Sequence, residues 1–456
     1  MFCLANPAWY GLGVRGRKIQ VWASNGVFGS RVSCQDPKPH TPPLGVQNNS
    51  FIKGVLDMRK TILFLSLCSI VIVSCGSDPS IDYTYSQPEK IDDGFEIGSL
   101  ADVDLDETSL GNAVEDIESD KYGEIHSLLI YKDGKLVFEE YFPGHDFLWD
   151  GPYFHGNWVN WNIDRRHNIH SDGKSITSAC IGIAIEQGFI ESVDQSIFDY
   201  LPDHQHLNNA GKDQITIEHL LTMSSGLEWD EWGSSYANEN NDIIALWVDC
   251  DDPVECILEK PLVSEPGTDY TYSGGNMIVL GEIIKNATGM DIEAFSWKYL
   301  FEPMGIETPP WRWIENTGVI YAGGDQLLTP REMMKFGVTY LNDGVWDGQQ
   351  IIPEGWVENS ASPYSGPDNT WFNHFLRPIP PGDDTWGPRG YSYSWWTHEF
   401  SHSGQKIHAY WAGGYGGQTI IVLPETNSVV VFTGGNYTSS DPTVKILKKY
   451  VIPAFE

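Results

Sequence analysis

Ser171 and Lys174 stand three residues apart in His170-Ser171-Asp172-Gly173-Lys174, immediately ahead of an apolar run that reaches Ile185. Serine is a weak nucleophile at neutral pH and needs a base within hydrogen-bond reach. On an α-helix, positions i and i+3 share a face, so a helix beginning here sets hydroxyl and amine side by side. The unpaired N–H groups of a helix start favour negative charge developing there. A lysine serves as the base only where burial or a cationic neighbour lowers its pKa. The run that follows, with Ile176, Cys180, Ile183 and Ala184, is apolar almost all round. That predicts a buried central helix. The pair alone is weak, because a Ser-x-x-Lys arises by chance about once or twice in a chain this long. A capped helix with a solvated lysine would read the same way, so the surrounding blocks decide.

Those blocks run in order: "SDGKSITSACIGIAIEQGFIESVDQSIFDYLP" from Ser171, "ITIEHLLTMSSGLEWDE", "EPGTDYTYSGGNMIVLGEIIKNATGMDIEAFSWKYLFEPMGI", "LTPREMMKFGVTYLNDGVWDGQQIIPEGWV" and "YWAGGYGGQTIIVLPETNSVVVFTGG". Over roughly residues 123–456 the chain resembles the serine β-lactamase-related hydrolases, which include class C β-lactamases, DD-peptidases and β-lactamase-fold esterases. It is most similar in look to the 6-aminohexanoate-dimer (nylon-oligomer) hydrolases, through Gly-Tyr-Gly-Gly-Gln and the "LTPREMMKFG" and "WDGQQIIPEGWV" stretches. Blocks in order are more specific than any one motif.

The resemblance implies catalytic roles for Ser171 and Lys174, which match the family's first motif. The second motif, Tyr-x-Asn, falls on Tyr272-Ser273-Gly274, so the tyrosine is kept and the asparagine is glycine. The third, Lys/His-Thr/Ser-Gly, falls on Ala412-Gly413-Gly414, where neither cation nor hydroxyl survives. In penicillin-recognising members those lost positions help hold substrate amide and carboxylate groups. The retained Ser, Lys and Tyr therefore imply an esterase or amidase working on a small-molecule ester or amide through an acyl-enzyme, with no metal or cofactor. Either Lys174 or a Tyr272 phenolate serves as principal base. A DD-peptidase or β-lactamase on peptidoglycan-type amides, and a catalytically silent envelope protein that binds them, are the competing readings. Gly414 lets a strand edge approach substrate closely. The N–H of Tyr415 is expected to pair with that of Ser171 as an oxyanion hole, although glycines here also suit a plain bulge or turn. Gly274 is placed with them beside the substrate.

Other chemistries fare worse. His167 and His170 lack a third zinc ligand nearby, and no His-Glu-x-x-His or Cys-x-x-Cys occurs, so both are given structural roles. No Gly-x-Ser-x-Gly elbow is present. Gly413–Gly417 precedes a strand, not a helix, and is no nucleotide loop. The tryptophans at 158, 161, 311, 313, 386, 395 and 396 either line a pocket for an apolar chain or, for most of them, fill the core.

The 456 residues carry 28 Lys+Arg against 62 Asp+Glu. Six of those bases and two of those acids precede Met58, so the net charge from Met58 onward is −38. Such a surface repels nucleic acid, and no basic cluster tracks phosphates. Residues 58–75, "MRKTILFLSLCSIVIVSC", read as a signal peptide ending in a lipobox-like site and resemble those of bacterial lipoproteins, with Cys75 the lipidation point. Met58 is then the working start and residues 1–57 a non-native upstream extension, or else a genuine leader. The expected location is the cell envelope, anchored to membrane by lipid and facing the periplasm or cell surface. Cys250 and Cys256 flank Asp251-Asp252-Pro253 and are either a disulfide, which an oxidising compartment allows, or two thiols. Cys180 reads as a small buried hydrophobe.

Residues 76–122 are acidic and read as a solvated tether leading into a helix near 107–120. Asp102-x-Asp104-x-Asp106 hints at a calcium loop but lacks the turn glycine and closing glutamate. Residues 125–142 read as a hairpin turning at Asp133-Gly134. Three more strands lie near 406–434 and a final helix at 441–452. Residues 190–330 are helical segments broken by Gly and Pro. Together these give an α+β fold: one antiparallel sheet built from both chain ends, flanked by helices, with a mainly helical lobe. The β-lactamase/DD-peptidase-like arrangement is also what the resemblance implies.

Overall fold

The computed structural model describes residues 83–149, 151–307, 309–315, 317–364, 390–402 and 405–455. The signal peptide, the lipidation site Cys75, the upstream extension and Trp386 lie outside the described residues.

The first two strands, β1 (Ile125–Lys132) and β2 (Lys135–Tyr141), form the expected hairpin. Its turn residues Asp133 and Gly134 take φ of 49° and 86°, the left-handed pair that a tight hairpin turn favours. A separate hairpin follows, β3 (Pro143–Phe147) and β4 (His155–Asn160). The far end of the chain supplies β5 (Gly390–Ser392), β6 (Trp395–His402), β7 (Gln405–Gly414), β8 (Gln418–Leu423) and β9 (Ser428–Gly434). They join β1 and β2 in one seven-stranded sheet of order β5-β6-β7-β8-β9-β1-β2, antiparallel throughout. The two chain ends meet where Leu128 faces Phe432 across β1 and β9.

Side chains alternate across a strand, and here both faces are apolar. Leu129, Ile420, Val422, Val429 and Val431 enter one core; Leu128, Ile130, Ile421, Leu423, Val430 and Phe432 enter the other. The central strands therefore need helices on both sides. On the outer face lie α1 (Glu107–Glu118) and the C-terminal helical turns that begin with α9 (Thr443–Ile446) and run on through Leu447–Val451. On the inner face lie α2 (Gly173–Glu186), α6 (Gly274–Thr288) and α8 (Pro330–Leu341). The lobe between residues 190 and 330 is built of α3 (Ile217–Leu221), α4 (Asp242–Val248), α5 (Pro253–Glu259), α6 and α7 (Ile292–Ser296), with 3-10 turns between them. Cys250 and Cys256 are disulfide-bonded across the start of α5, and Cys180 is free and buried.

The acidic tether needs correction. From Tyr83 onward the chain is packed down. Phe95, Leu100, Val103 and Leu105 are buried, and Ile97 bridges Leu136 of β2. Arg331 of α8, itself buried, binds Asp93 and Glu139 at 2.7 Å each and so ties the segment to the sheet. The aspartates that suggested a loop are caps. Ser99 and Asp102 form a capping box on a 3-10 turn, and Asp106 accepts from Thr108 N and Ser109 N at the start of α1. Each satisfies helix-start donors that would otherwise be unpaired.

Candidate active site

Ser171 lies in a 3-10 turn, His170–Asp172, that runs straight into α2. Every residue of α2 from Gly173 to Ala184 is buried, as the all-round apolar pattern requires. A Cβ on Gly173 would meet Gln326 Oε1 at 1.9 Å, so a side chain between nucleophile and lysine would have to displace the Gln326 amide. Lys174 is 1% exposed. Its Nζ donates to Ser171 Oγ at 3.0 Å and to the Gly323 carbonyl at 2.9 Å, and it sits 4.9 Å from the centre of the Tyr272 ring. Tyr272 is buried beside Ser171. Ser171, Lys174 and Tyr272, read from distant parts of the chain, thus converge.

Met223 helps to place Tyr272. It takes φ of 59°, its carbonyl accepts from Thr271 N at 2.8 Å and its sulfur from Ser273 N at 3.3 Å, which holds the backbone on both sides of the tyrosine. Burial pushes the Tyr272 pKa up, and the charge of Glu231 adds to this, against the lowering effect of Ser171 beside it. Tyr272 is therefore a neutral phenol in the resting site.

The approach to Ser171 is strained. His170 and Asp325 are non-glycine residues at φ of 48° and 68°, a cost sustained only where the surroundings fix it. They hold each other: His170 Nδ1 lies 3.0 Å from Asp325 Oδ1, and Asp325 N donates to His170 O at 3.2 Å. Arg312 binds the other oxygen, Oδ2, at 3.1 Å and lies over Trp247 and Trp149 at 4.4 and 4.9 Å. Burial alone would raise the Asp325 pKa, but His170 and Arg312 hold it well below the usual carboxylate range. His170, read as structural, is thus a wall of the same pocket as Ser171. His167 fits that reading, buried with its ring 3.6 Å from Trp161. Asp172, next to the nucleophile, is fully buried and neither carboxylate oxygen has a protein partner. Burial, then the charge of Asp441, pushes its pKa well up against the pull of Lys174, which favours the neutral form.

Gly414 ends β7, and a Cβ there would meet the Ile169 carbonyl at 2.2 Å. The strand edge can press against the nucleophile's approach only because that side chain is missing. The next residue, Tyr415, lines the pocket with Ser171. Gly274 needs correction. Its N–H donates to Glu231 Oε2 at 2.6 Å, and a Cβ would lie 2.9 Å from Ile243 Cδ1, 3.1 Å from Glu231 Oε2 and 3.2 Å from the Tyr321 hydroxyl. Gly274 is spent on Glu231, not on substrate. Glu231, buried, also accepts from Trp229 Nε1 at 3.0 Å and is a pocket wall that the sequence reading missed. The replacement of asparagine by glycine was the signal for it, because a lost side chain must be filled by something. The pocket tryptophans are Trp149 and Trp247. Of the named ones, Trp161, Trp311 and Trp395 are core, and Trp158 and Trp313 are exposed. Between these walls lies a cavity of about 40 Å³ that opens to solvent.

The Beta-lactamase family profile matches residues 126–446. This chain belongs to the beta-lactamase family. It is 27% identical over 278 residues to a 6-aminohexanoate-dimer hydrolase of Paenarthrobacter ureafaciens, covering 59% of this chain and 66% of that protein. The chain spans less of the next two curated relatives, 55% and 42% of their lengths. Among solved structures it is similar to the octameric penicillin-binding protein homologue from Pyrococcus abyssi, with a TM-score of 0.54, 19% identity and coverage of 76% of this chain and 77% of that one. A family VIII carboxylesterase gives a TM-score of 0.55 at 15% identity, covering 76% and 96%. These two likenesses establish the fold. Members of the family are serine hydrolases, esterases and amidases among them, and the beta-lactamase-family sheet and helices are those described above.

Proposed function

We propose that the protein is a cell-envelope serine hydrolase that cleaves ester or linear amide bonds through an acyl-enzyme. The observation that carries this is the convergence of Ser171, Lys174 and Tyr272, with Lys174 Nζ 3.0 Å from Ser171 Oγ. Ser171 Oγ attacks the carbonyl carbon as Lys174 takes its proton. The N–H groups of Ser171 and Tyr415 receive the oxyanion; such a donor is typically worth about 3–4 kcal/mol. Tyr272, a phenol beside Ser171 and Lys174, passes a proton to the leaving oxygen or nitrogen and is refilled from Lys174. Water then attacks the acyl-enzyme by the reverse relay. A resting phenol fits a proton carrier and leaves Lys174 as the first base.

The pocket argues for the substrate class. Glu231 and Asp325 are both in its wall, and the guanidinium nearest them, Arg312, is already bound to Asp325. With Ala412-Gly413-Gly414 at the strand edge, no free cation awaits a β-lactam or D-alanyl carboxylate among the described pocket residues. The location rests on the lipobox order of residues 58–75 with Cys75, and the Cys250–Cys256 disulfide suits an oxidising compartment. Among the described residues no helix is long and apolar enough to cross a membrane.

One panel tests the reading: short-chain nitrophenyl esters, linear amide oligomers and a chromogenic cephalosporin, compared by kcat/KM. Esters or linear amides should lead. A cephalosporin turned over best would promote the β-lactamase reading, and no turnover of any would promote the silent binder. Intact-mass analysis of membrane-extracted protein should find Cys75 lipidated at the mature N-terminus.

A further inference from the structure

We propose that Glu124, His145 and His155 form a binding site for a divalent transition-metal ion, with Zn²⁺ the best-suited probe, that pins the β3–β4 hairpin to the main sheet. Glu124 stands just before β1, His145 lies on β3 and His155 opens β4. The carboxylate, His145 Nδ1 and His155 Nε2 all lie within 4.8 Å of one another. Glu124 Oε1 is 2.6 Å from His145 Nδ1 and 3.8 Å from His155 Nε2. The Gly435 carbonyl, 3.0 Å from His155 Nε2, offers a fourth atom. In a tetrahedral zinc site with bonds near 2.1 Å, ligand atoms stand roughly 3.4 Å apart, and the observed separations bracket that figure. Two imidazoles with a carboxylate is a donor set suited to zinc and its neighbours rather than to calcium or magnesium.

The surroundings already hold the ligands. His145 N donates to Glu124 Oε2 at 2.8 Å, and Gly435 N donates to the Glu124 carbonyl at 2.9 Å. Buried His126 brings Nε2 to 3.4 Å from the same carboxylate, an outer partner of the kind that orients metal ligands. The two ligand rings stack at 4.4 Å between centroids and 3° between planes, so an ion between their nitrogens must tilt one of them. That motion is a χ2 rotation, which is soft for histidine. The three side chains are 19–30% exposed, which leaves an ion a path from solvent.

The hairpin is not incidental to the pocket. Phe147 of β3 lies 4.6 Å from the His170 ring, Phe154 lies 5.9 Å from Tyr415, and Trp149 lines the pocket itself. An ion at Glu124, His145 and His155 would fasten this wall beside Phe147, the Cα partner of His155, and touch no reacting atom. Its role is positional.

The test uses the full chain stripped with chelator and titrated with ZnCl₂ against a colorimetric zinc indicator, alongside melting temperature. Wild type should bind one high-affinity equivalent with a rise in Tm. The double variant His145→Gln/His155→Gln should lose at least tenfold in affinity and most of that rise, while Ser171→Ala binds like wild type. Because the chain has 13 histidines, equal binding by the double variant would assign the zinc elsewhere and overturn the site, as would no high-affinity equivalent in wild type. Should the double variant not fold, Co²⁺ on wild type decides: intense visible bands of a tetrahedral nitrogen–oxygen site support the proposal, and a weak octahedral spectrum overturns it. Neither readout depends on hydrolysis, so the outcome is separate from that of the catalytic reading.

Discussion

The two faces of the central sheet are packed on opposite principles. The outer core, under α1 and the C-terminal turns, is aliphatic and aromatic side chains meeting one another, with its ion pairs at the rim, such as Asp116 with Lys121 and Lys449. The inner core is larger, yet Lys174, Asp172, Glu231, Asp325 and Gln326 are buried within or beside it. Asp172 and Gln326 have no protein partner for their side-chain polar atoms, and His170 and Asp325 hold unfavourable backbone angles. Unpaired buried polar groups cost free energy, and so does such backbone. The comparison teaches that the sheet divides the work: the outer face stabilises, and the inner face spends part of that stability on a poised serine.

The largest effect expected from this division is at Ser171. Ser171→Ala should lower ester turnover by on the order of 10³-fold or more and abolish fluorophosphonate labelling, with Tm unchanged or raised. Retained labelling would remove Ser171 as nucleophile; a sharp fall in Tm would show that the inner face carries stability after all. Next comes Tyr272→Phe, which keeps the ring stacked 4.7 Å from Trp232 and deletes only the hydroxyl. Loss of a proton-transfer group is typically about 10²–10⁴-fold in kcat, again with little change in Tm. Gly274→Ala supplies the contrast. Its methyl would press on Ile243 and Glu231, an overpacking cost of about 1–3 kcal/mol, so it should show in Tm before it shows in proton transfer. A fully active Tyr272→Phe enzyme would leave Lys174 as the only base.

How far the sequence foretold this depended on the face. The strands and the buried helix were legible because apolar periodicity marks them directly: the both-faces-apolar runs of β8 and β9, and α2 with no polar side. Ser171, Lys174 and Tyr272 were legible because motif blocks kept their order. Glu231, Asp325 and Arg312 were not, because each acts through a contact between segments distant in sequence, such as Arg312 with Trp149 and Trp247. The segment from Tyr83 to Asp106 was misread for a related reason. Its seven acids dominate the eye, but Phe95, Leu100, Val103 and Leu105 are buried, and three of the acids cap helical turns or bind Arg331. The histidine cluster was missed because Glu124 and His145 are 21 residues apart and only the hairpin brings them together.

Leu128→Ala inverts the first prediction. Leu128 is fully buried in the outer core, and truncating such a leucine costs about 2–5 kcal/mol. Denaturant midpoints should fall accordingly while kcat per folded molecule stays that of wild type. A matching drop in kcat would mean that the two faces are coupled through the sheet and not divided by it.

The smallest expected effect lies at the rim of the outer face and is visible only in acid. Asp116 on α1 accepts from Lys121 at 2.5 Å, Lys449 at 3.2 Å and the Tyr450 hydroxyl, which fastens α1 to the C-terminal turns. Partial burial raises its pKa, but those bonds outweigh it and bring the value from 3.8 to about 2. Because the folded pKa lies below the unfolded one, the unfolded chain binds the proton first. The stabilisation is therefore complete above about pH 4–5 and is lost as pH falls toward 2. A shift of that size in a side chain 27% exposed is worth on the order of 1 kcal/mol once solvent screening is allowed for. Asp116→Asn should then melt below wild type at pH 6 and converge with it near pH 2, with catalytic constants at neutral pH unaltered. Parallel stability curves from pH 6 to pH 2 would show that the clamp contributes nothing, and that apolar packing alone joins α1 to the C-terminal end.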